Sequence, residues 1–439
     1  MRRSTLALGV FSMLLLSGCG GSGKASLTAK LDAFLTEETA RGAFRGTVLV
    51  ARGETTPLLK GYGLADAAHR RPNTPATRFR INSLARILTT ATILRLAQEQ
   101  RVELDASICR YLGHCEATWR LERVRDVLQL GGPAPPGQSP ARPRSLTAWL
   151  PVLRSLPLSA WKTSTAGELA AAAILERVTR RSWAGALEHE LLAPAGVRAP
   201  VRGPELARPF VLSRAGDPVP AREQRSFSLP DLGALFFTVA DFSRLLHALA
   251  DDRLFSERSR ALLFGAAPDT WGCCFYVTSF GHPAQLHGGH APADDGWYRL
   301  VARYPDDRLT VEVFSNFSGS DIADVELTLA KLALHLPVRL PSPAPPSTVV
   351  PPTLLRRYVG HYEGPRPVRI TLASGQLLLF PSLISIRGGG ADRLVAISPT
   401  RFYNRREPDM RVTFLRAGAS ARISNARLGI SFSMPRQPG

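Results

Sequence analysis

The 439-residue chain predicts an α+β body whose sheet joins both ends of its segment, followed by a small all-β domain. Three observations predict it. Strand-like runs stand at both ends of the segment before Pro337, with helix-like runs between them. A proline-rich stretch then interrupts the pattern. Beyond it, apolar and polar residues alternate with the period of two expected of strands.

The elements follow in order. Leu27, Leu31, Phe34 and Leu35 are spaced for one face of a helix, which Gly42 ends. Thr47-Val48-Leu49-Val50-Ala51 reads as a buried strand, with Leu58 to Gly61 as its partner across Gly53. Helices are expected over Ser83 to Gln98, Leu169 to Val178 and Ser182 to Leu192. Another opens at Thr238-Val239-Ala240-Asp241, with Leu245, Leu246 and Leu249 on one face and Asp241 as a helix-start acid. Strands return at Cys273 to Thr278, Ala284 to His287, Trp297 to Tyr304 and Leu309 to Phe314. Ile322 to Leu334 closes the body as a helix, so the sheet should join both ends of the segment. Seven prolines between Pro337 and Pro352 make a semi-rigid spacer. Val368 to Leu372 and Arg411 to Leu415 then alternate as strands. The divisions expected are a leader over 1–19, a tether over 20–24, the body over 25–336, the linker over 337–352 and the β domain over 353–439.

Composition narrows the function classes. A hydrophobic share of 44% is ordinary for a chain with a real core. The net charge of +19 suggests nucleic acid, but the basic residues are scattered arginines without runs of like charge. Only Lys24, Lys30, Lys60, Lys162 and Lys331 are lysines. No nucleic-acid partner is expected, while attraction to anionic surfaces stays open.

Arg2 and Arg3 precede an apolar run from Leu6 to Leu16, too short for the ~20 residues that span a bilayer. Leu16-Ser17-Gly18-Cys19 then resembles bacterial lipoprotein signals. The resemblance implies cleavage before a lipidated Cys19, with Gly20-Gly21-Ser22-Gly23 as a flexible tether. It places the chain at the bacterial cell envelope, held to a membrane by its lipid. The lack of an acidic residue directly after Cys19 favours the outer membrane. In that oxidising setting Cys109 and Cys115 are expected to form a disulfide, with two free thiols as the alternative. Cys273 and Cys274 are adjacent and read as free residues packed in a strand.

Several segments together resemble serine β-lactamase-related hydrolases: class C β-lactamases, D-alanyl-D-alanine peptidases and related esterases. The early pieces are Phe44 to Gly53, Gly61-Tyr62-Gly63-Leu64-Ala65-Asp66, Pro72-Asn73-Thr74 and Thr77 to Ser83. Leu104-Asp105, Tyr111-Leu112, Leu175 to Thr179 and Pro194 to Val197 follow, then His287-Gly288-Gly289 and Tyr304-Pro305 to Ser315-Asn316. The resemblance runs in order over residues 25–335 and implies that family's fold, with a cleft between sheet and helices. Tyr358 to Tyr362 and Arg401-Phe402-Tyr403 resemble the small β domain often appended to it.

The resemblance also implies a site. Its Ser-x-x-Lys motif stands here as Ser83-Leu84-Ala85-Arg86. Residues three apart on a helix share a face, so a lysine there can take the serine's proton. Arg86 keeps the charge, but a guanidinium in place of the amine removes the proton acceptor. The family's Tyr-x-Asn aligns with Thr163-Ser164-Thr165. Thr163 replaces a titratable phenol, and Thr165 replaces an asparagine with a shorter reach. His287-Gly288-Gly289 keeps the His/Lys-x-Gly motif, where Gly289 lets a substrate carbonyl approach the strand. The family's His-Thr-Ser-Gly stretch is replaced near Leu128 to Gly132.

Plainer readings stand beside these. Ser83 can be an ordinary helix N-cap. Lys162 reads as a surface lysine before it reads as a substitute base. His287 and His290 lack a third metal ligand nearby, so no metal and no cofactor are expected. The expectation is a degenerate hydrolase that binds a small-molecule or peptidoglycan-like ligand in its cleft at the envelope. The alternative is a working esterase, peptidase or β-lactamase with Ser83 as nucleophile and an unusual base.

Overall fold

In the computed structural model the described residues are 26–81, 84–113, 120–128, 164–197, 205–221, 235–265, 274–279, 282–290, 296–383 and 390–437. Six strands build the body sheet: β1 (Gly46–Arg52), β2 (Thr55–Tyr62), β3 (Tyr276–Ser279), β4 (Pro283–His290), β5 (Tyr298–Tyr304) and β6 (Leu309–Ser315). They pair antiparallel in the order β2-β1-β6-β5-β4-β3. The first and last parts of the body therefore meet at β1 and β6, with Val48 opposite Val313. The expected fold class is the one found.

Nine helices of the body are described: α1 (Leu27–Ala40), α2 (Ala85–Gln98), α3 (Cys109–Leu112), α4 (Val124–Leu128), α5 (Ser164–Thr179), α6 (Trp183–Leu187), α7 (Val239–Ala250), α8 (Glu257–Phe264) and α9 (Ile322–Ala333). Strand alternation sends Val48, Val50, Val311 and Val313 to one face, where they pack with Leu31, Phe34 and Leu35 of α1 and Leu329 of α9. Leu49, Val301 and Phe314 point the other way, into the core shared with α2, α5 and α7. Both faces of the sheet are thus covered.

The body's second core is centred on α2. Its residues from Ala85 to Leu94 are all buried, which explains the lack of a polar stripe in its sequence. Thr89 and Thr92 donate to the Ala85 and Leu88 carbonyls, so their hydroxyls are satisfied inside the helix. Trp183 Nε1 donates to Thr89 Oγ1 at 3.0 Å and ties α6 to α2. The helix expected over Ser182 to Leu192 is α6 continued by a π-helical turn, Glu188–Leu192. The strand expected from Cys273 begins at Tyr276.

Two asparagines staple the sheet to the segment leading into the site. Asn73 Nδ2 donates to Tyr62 O at 2.9 Å and to Asn316 Oδ1 at 3.3 Å. Asn316 Nδ2 reaches the Leu64, Ala65 and Arg208 carbonyls. A Cβ on Gly61 would stand 2.2 Å from the Asn73 carbonyl carbon, so only glycine permits this approach.

The C-terminal domain is an eight-stranded antiparallel meander: β7 (Gly360–Tyr362), β8 (Val368–Ala373), β9 (Gln376–Phe380), β10 (Asp392–Ala396), β11 (Arg401–Asn404), β12 (Met410–Leu415), β13 (Ser420–Asn425) and β14 (Ile430–Pro435). A bridge between Tyr362 and Arg436 brings β7 back to the end of β14, so the sheet nearly closes into a barrel. Its core holds Tyr358, Tyr362, Phe402 and Phe414, with Tyr358 stacked on Phe414 at 4.0 Å between centroids. The proline-rich segment lies along this barrel: Ser342 N donates to Asp409, and Thr348 N to Ala396 O.

Barrel and body meet through arginines. Arg427 Nη1 lies 2.7 and 2.8 Å from the two Asp324 oxygens, and its Nε is 3.2 Å from Glu407. Arg406 donates to Gly319 O at 2.7 Å and to Asp392 at 2.6 Å. Arg393 meets Asp217 at 2.6 Å. Among the described residues, no helix is long and apolar enough to cross a membrane.

Candidate functional site

Ser83, Thr163, Lys162, Cys19 and Cys115 lie outside the described residues. The elements that lead into the Ser83 position are described. Phe79 and Arg80 pair with Phe237 and Phe236 as a short ribbon. Ile81 N donates to Leu235 O, and Leu84 N to Ile81 O. Phe79 packs edge-on against Trp297 and Phe314, which fixes this ribbon to the sheet. The chain then turns into α2, with Arg86 in its first turn.

Arg86 is 4% exposed. Its Nη1 lies 3.6 Å from Glu168 Oε1 of α5. Its Nη2 donates to Leu128 O, at the end of α4, at 3.4 Å. The guanidinium thus points into the seam between three helices. Cys274, buried and in no disulfide, places Sγ 3.9 Å from the Arg86 carbonyl. Thr165 lies in the first turn of α5, three residues before Glu168.

His287 and Gly289 stand on β4, opposite Val301 and Arg299 of β5. Val301 faces the helical core, and alternation puts Arg299 on the same side. Arg299 is fully buried. One strand further, Glu312 of β6 stands opposite Val301 and is fully buried as well. The sheet face that carries the His-x-Gly positions therefore also carries an arginine and a glutamate.

Burial sets the electrostatics. It pushes the Glu168 carboxyl up to about 7, and the Arg86 guanidinium pulls it only part of the way back. Glu312 is pushed up to about 8, with Ser243 of α7 as its polar neighbour. Arg86 can hold negative charge but cannot accept a proton. The carboxyl that faces Arg86, raised to about 7, is that of Glu168, one helix away.

Glu168, Arg299 and Glu312 escaped the sequence reading. Polar residues within strand patterns normally mark a solvated face, yet this sheet is covered on both sides. The available signal was a charge at an inward position: Glu312 shares the face of Phe314, and Arg299 that of Val301. Asp241, expected as a helix-start acid, lies in the first turn of α7 and meets Arg78 at 3.5 Å. Cys109 is disulfide-bonded. Among the described residues, no group of three His, Cys, Asp or Glu side chains is placed to hold a metal.

Comparison with known proteins places this geometry. The Beta-lactamase family model matches residues 31–335. "Putative penicillin-binding protein PbpX" of Bacillus subtilis (strain 168) is 22% identical over 252 residues, 53% of this chain and 62% of that protein. "Protein flp" of Staphylococcus aureus (strain NCTC 8325 / PS 47) is 28% identical over 86 residues, 19% of this chain and 17% of that protein. The chain thus spans less than two thirds of these curated relatives. Among solved structures, the octameric penicillin-binding protein homologue from Pyrococcus abyssi matches with a TM-score of 0.63 at 16% identity, covering 92% of this chain and 99% of that one. The class C beta lactamase from Rhodobacter sphaeroides matches with a TM-score of 0.57 at 16% identity, over 71% of this chain and 99% of that one. These likenesses show a shared fold, and the first extends beyond the body into the barrel. With the family model matched across the whole body and the sheet-and-helix fold in place, the chain belongs to the beta-lactamase family of serine hydrolase-fold proteins.

Proposed function

We propose that this chain is a catalytically silent member of its family that acts by binding, and that its ligand is a small molecule or peptidoglycan-like fragment held in the cleft. The observation that carries this is the setting of Arg86. A serine hydroxyl needs a neighbouring acceptor to become a nucleophile. The residue three after Ser83 is a buried guanidinium that faces Glu168 and the Leu128 carbonyl. Such a group steadies an anion and takes no proton. Thr163, at the phenol position, adds no titratable group near neutrality. The names of the relatives and of the matched structures, penicillin-binding proteins among them, support a peptidoglycan-like ligand. By the same proposal Cys19 carries the lipid that holds the chain at the envelope, on the outer membrane, and Cys115 is the disulfide partner of Cys109.

A second reading has one observation in its favour. Glu168, with its carboxyl raised to about 7 beside Arg86, is a proton acceptor tuned to neutral pH. In that reading Ser83 remains a nucleophile and Glu168 is the unusual base.

Turnover of chromogenic β-lactams and p-nitrophenyl esters separates the two. The silent reading expects no rate that depends on Ser83. It also expects the pair Arg86→Lys with Thr163→Tyr to acylate at Ser83, because two groups that act as a unit must be restored together. Robust turnover by the natural chain, lost in both Ser83→Ala and Glu168→Gln, would establish the second reading.

A further inference from the structure

The β domain sorts its charges by position. Residues 353–439 hold fourteen arginines, no lysine and four acidic residues, a net +10 of the chain's +19. Three of the four acids, Asp392, Glu407 and Asp409, are buried. They serve the interior and the junction with the body, where Arg406 and Arg427 meet them. Glu363 is exposed and accepts from Gln437. The shell of the barrel is left almost wholly positive: Arg356, Arg357, Arg366, Arg369, Arg401, Arg405, Arg416, Arg422 and Arg436 are all exposed.

Five of these gather at the end that faces away from the body. Hydrogen bonds define that end. Tyr358 Oη donates to Pro399 O, Phe414 N to Thr400 O, Arg436 N to Ala419 O, and Arg436 Nη1 to Arg357 O. Arg356, Arg357, Arg401, Arg416 and Arg436 stand on these tied turns. Arg422 extends the patch along the barrel wall, since Thr413 is register partner to both Arg401 and Arg422. Among the described residues, the ion pairs of barrel arginines involve only Arg393, Arg406 and Arg427, all at the body end.

We propose that this outer end of the barrel is a docking surface for an anionic lipid surface, read through its phosphate headgroups. Guanidinium groups present a planar fork that matches phosphate oxygens, and they shed water more readily than ammonium groups. Glu363, beside Arg436 and tied to Gln437, is the one exposed carboxylate among the described barrel residues, so this field of like charges meets little repulsion from a phosphate layer. The patch is formed by turns and an outer strand face, and suits a broad surface. A single-stranded nucleic acid would instead call for a groove with stacking aromatics, and among the described residues none of the exposed large apolar side chains is aromatic. The proposal is independent of whether the cleft is silent.

The test uses the full chain carrying Cys19→Ala, so that no acyl group can mediate binding. Cosedimentation is measured with phosphatidylglycerol–phosphatidylcholine vesicles and with pure phosphatidylcholine vesicles. Binding is expected only to the first, and about 1 M salt, with a Debye length near 3 Å, should abolish it. The variant Arg356→Gln, Arg401→Gln, Arg416→Gln, Arg422→Gln should bind at least about tenfold more weakly. The matching set of Arg→Lys changes should keep most of the binding, which shows that the barrel tolerates substitution there. Equal binding to both vesicle types, natural binding by the glutamine variant, or a short oligonucleotide that outcompetes the anionic vesicles would each overturn the proposal.

Discussion

Arg86 and Arg427 are both guanidiniums drawn out of water, and their surroundings differ. Arg427 bridges barrel and body with both oxygens of Asp324 at 2.7 and 2.8 Å and with Glu407 at 3.2 Å. Arg86 Nη1 lies 3.6 Å from Glu168 Oε1, and burial leaves that carboxyl raised to about 7. A closely bonded pair spends its charge on holding two parts together. At the Arg86–Glu168 pair, burial raises the carboxyl by more than the guanidinium lowers it. The first arrangement is that of a fastener. The second, by the function proposed above, is that of a site whose base has been exchanged for a fixed charge.

Four experiments test this contrast. The largest effect is expected for Arg406→Met, which strands the buried Asp392 beside Ser382 and Gly319 O. Losing one partner of a buried pair costs about 3–5 kcal/mol. Urea unfolding, followed by the barrel's tyrosine signal, should show an early barrel transition. An unchanged midpoint would mean that the junction is no fastener.

Next is Glu168. Its folded pKa stands above its unfolded value, so its contribution is fully present below about pH 4.5 and is lost as pH rises through about 7. The size is roughly 3 kcal/mol across that window. Glu168→Gln should flatten the pH dependence of body stability between those values, although it leaves Arg86 without its carboxylate. A slope identical to that of the natural chain would remove Glu168 from the account.

Asp324→Asn weakens the junction less than Arg406→Met, because Glu407 still holds Arg427. A loss of about 2 kcal/mol in the barrel transition is expected. The smallest effect belongs to Lys60→Met. Lys60 pairs with Asp32 at 2.7 Å on the surface, and such pairs contribute about 0.2–1 kcal/mol. A larger loss would show that exposed pairs matter here as much as buried ones.

The sequence made the backbone plan readable because periodicity reports which residues meet a core. Thr47 to Ala51 and Leu309 to Phe314 have the composition of buried strands, and they pair as β1 and β6. The helix opening at Thr238 was legible, and the structure adds that the Thr238 side chain caps it by accepting from Asp241 N. Buried charges were not legible. Glu312 and Arg299 sit at polar positions of strands whose second face looks solvated until the helices are seen to cover it. Glu168 lies in a helix whose polar side turns toward α2 instead of water. Asn73 and Asn316 were visible only as parts of a family resemblance, and hydrogen bonds across 243 residues give them a structural role. The near closure of the barrel depends on a bridge from Tyr362 to Arg436 that no local pattern announces.

The central claim is that proton transfer at Ser83 is disabled while the surrounding fold is kept. Its most direct test is covalent labelling of the natural chain with an active-site serine probe, with the adduct located by mass spectrometry. The account predicts no adduct at Ser83 in the natural chain and a clear one in the pair Arg86→Lys with Thr163→Tyr. Stoichiometric labelling of Ser83 in the natural chain, absent in Ser83→Ala, would contradict it.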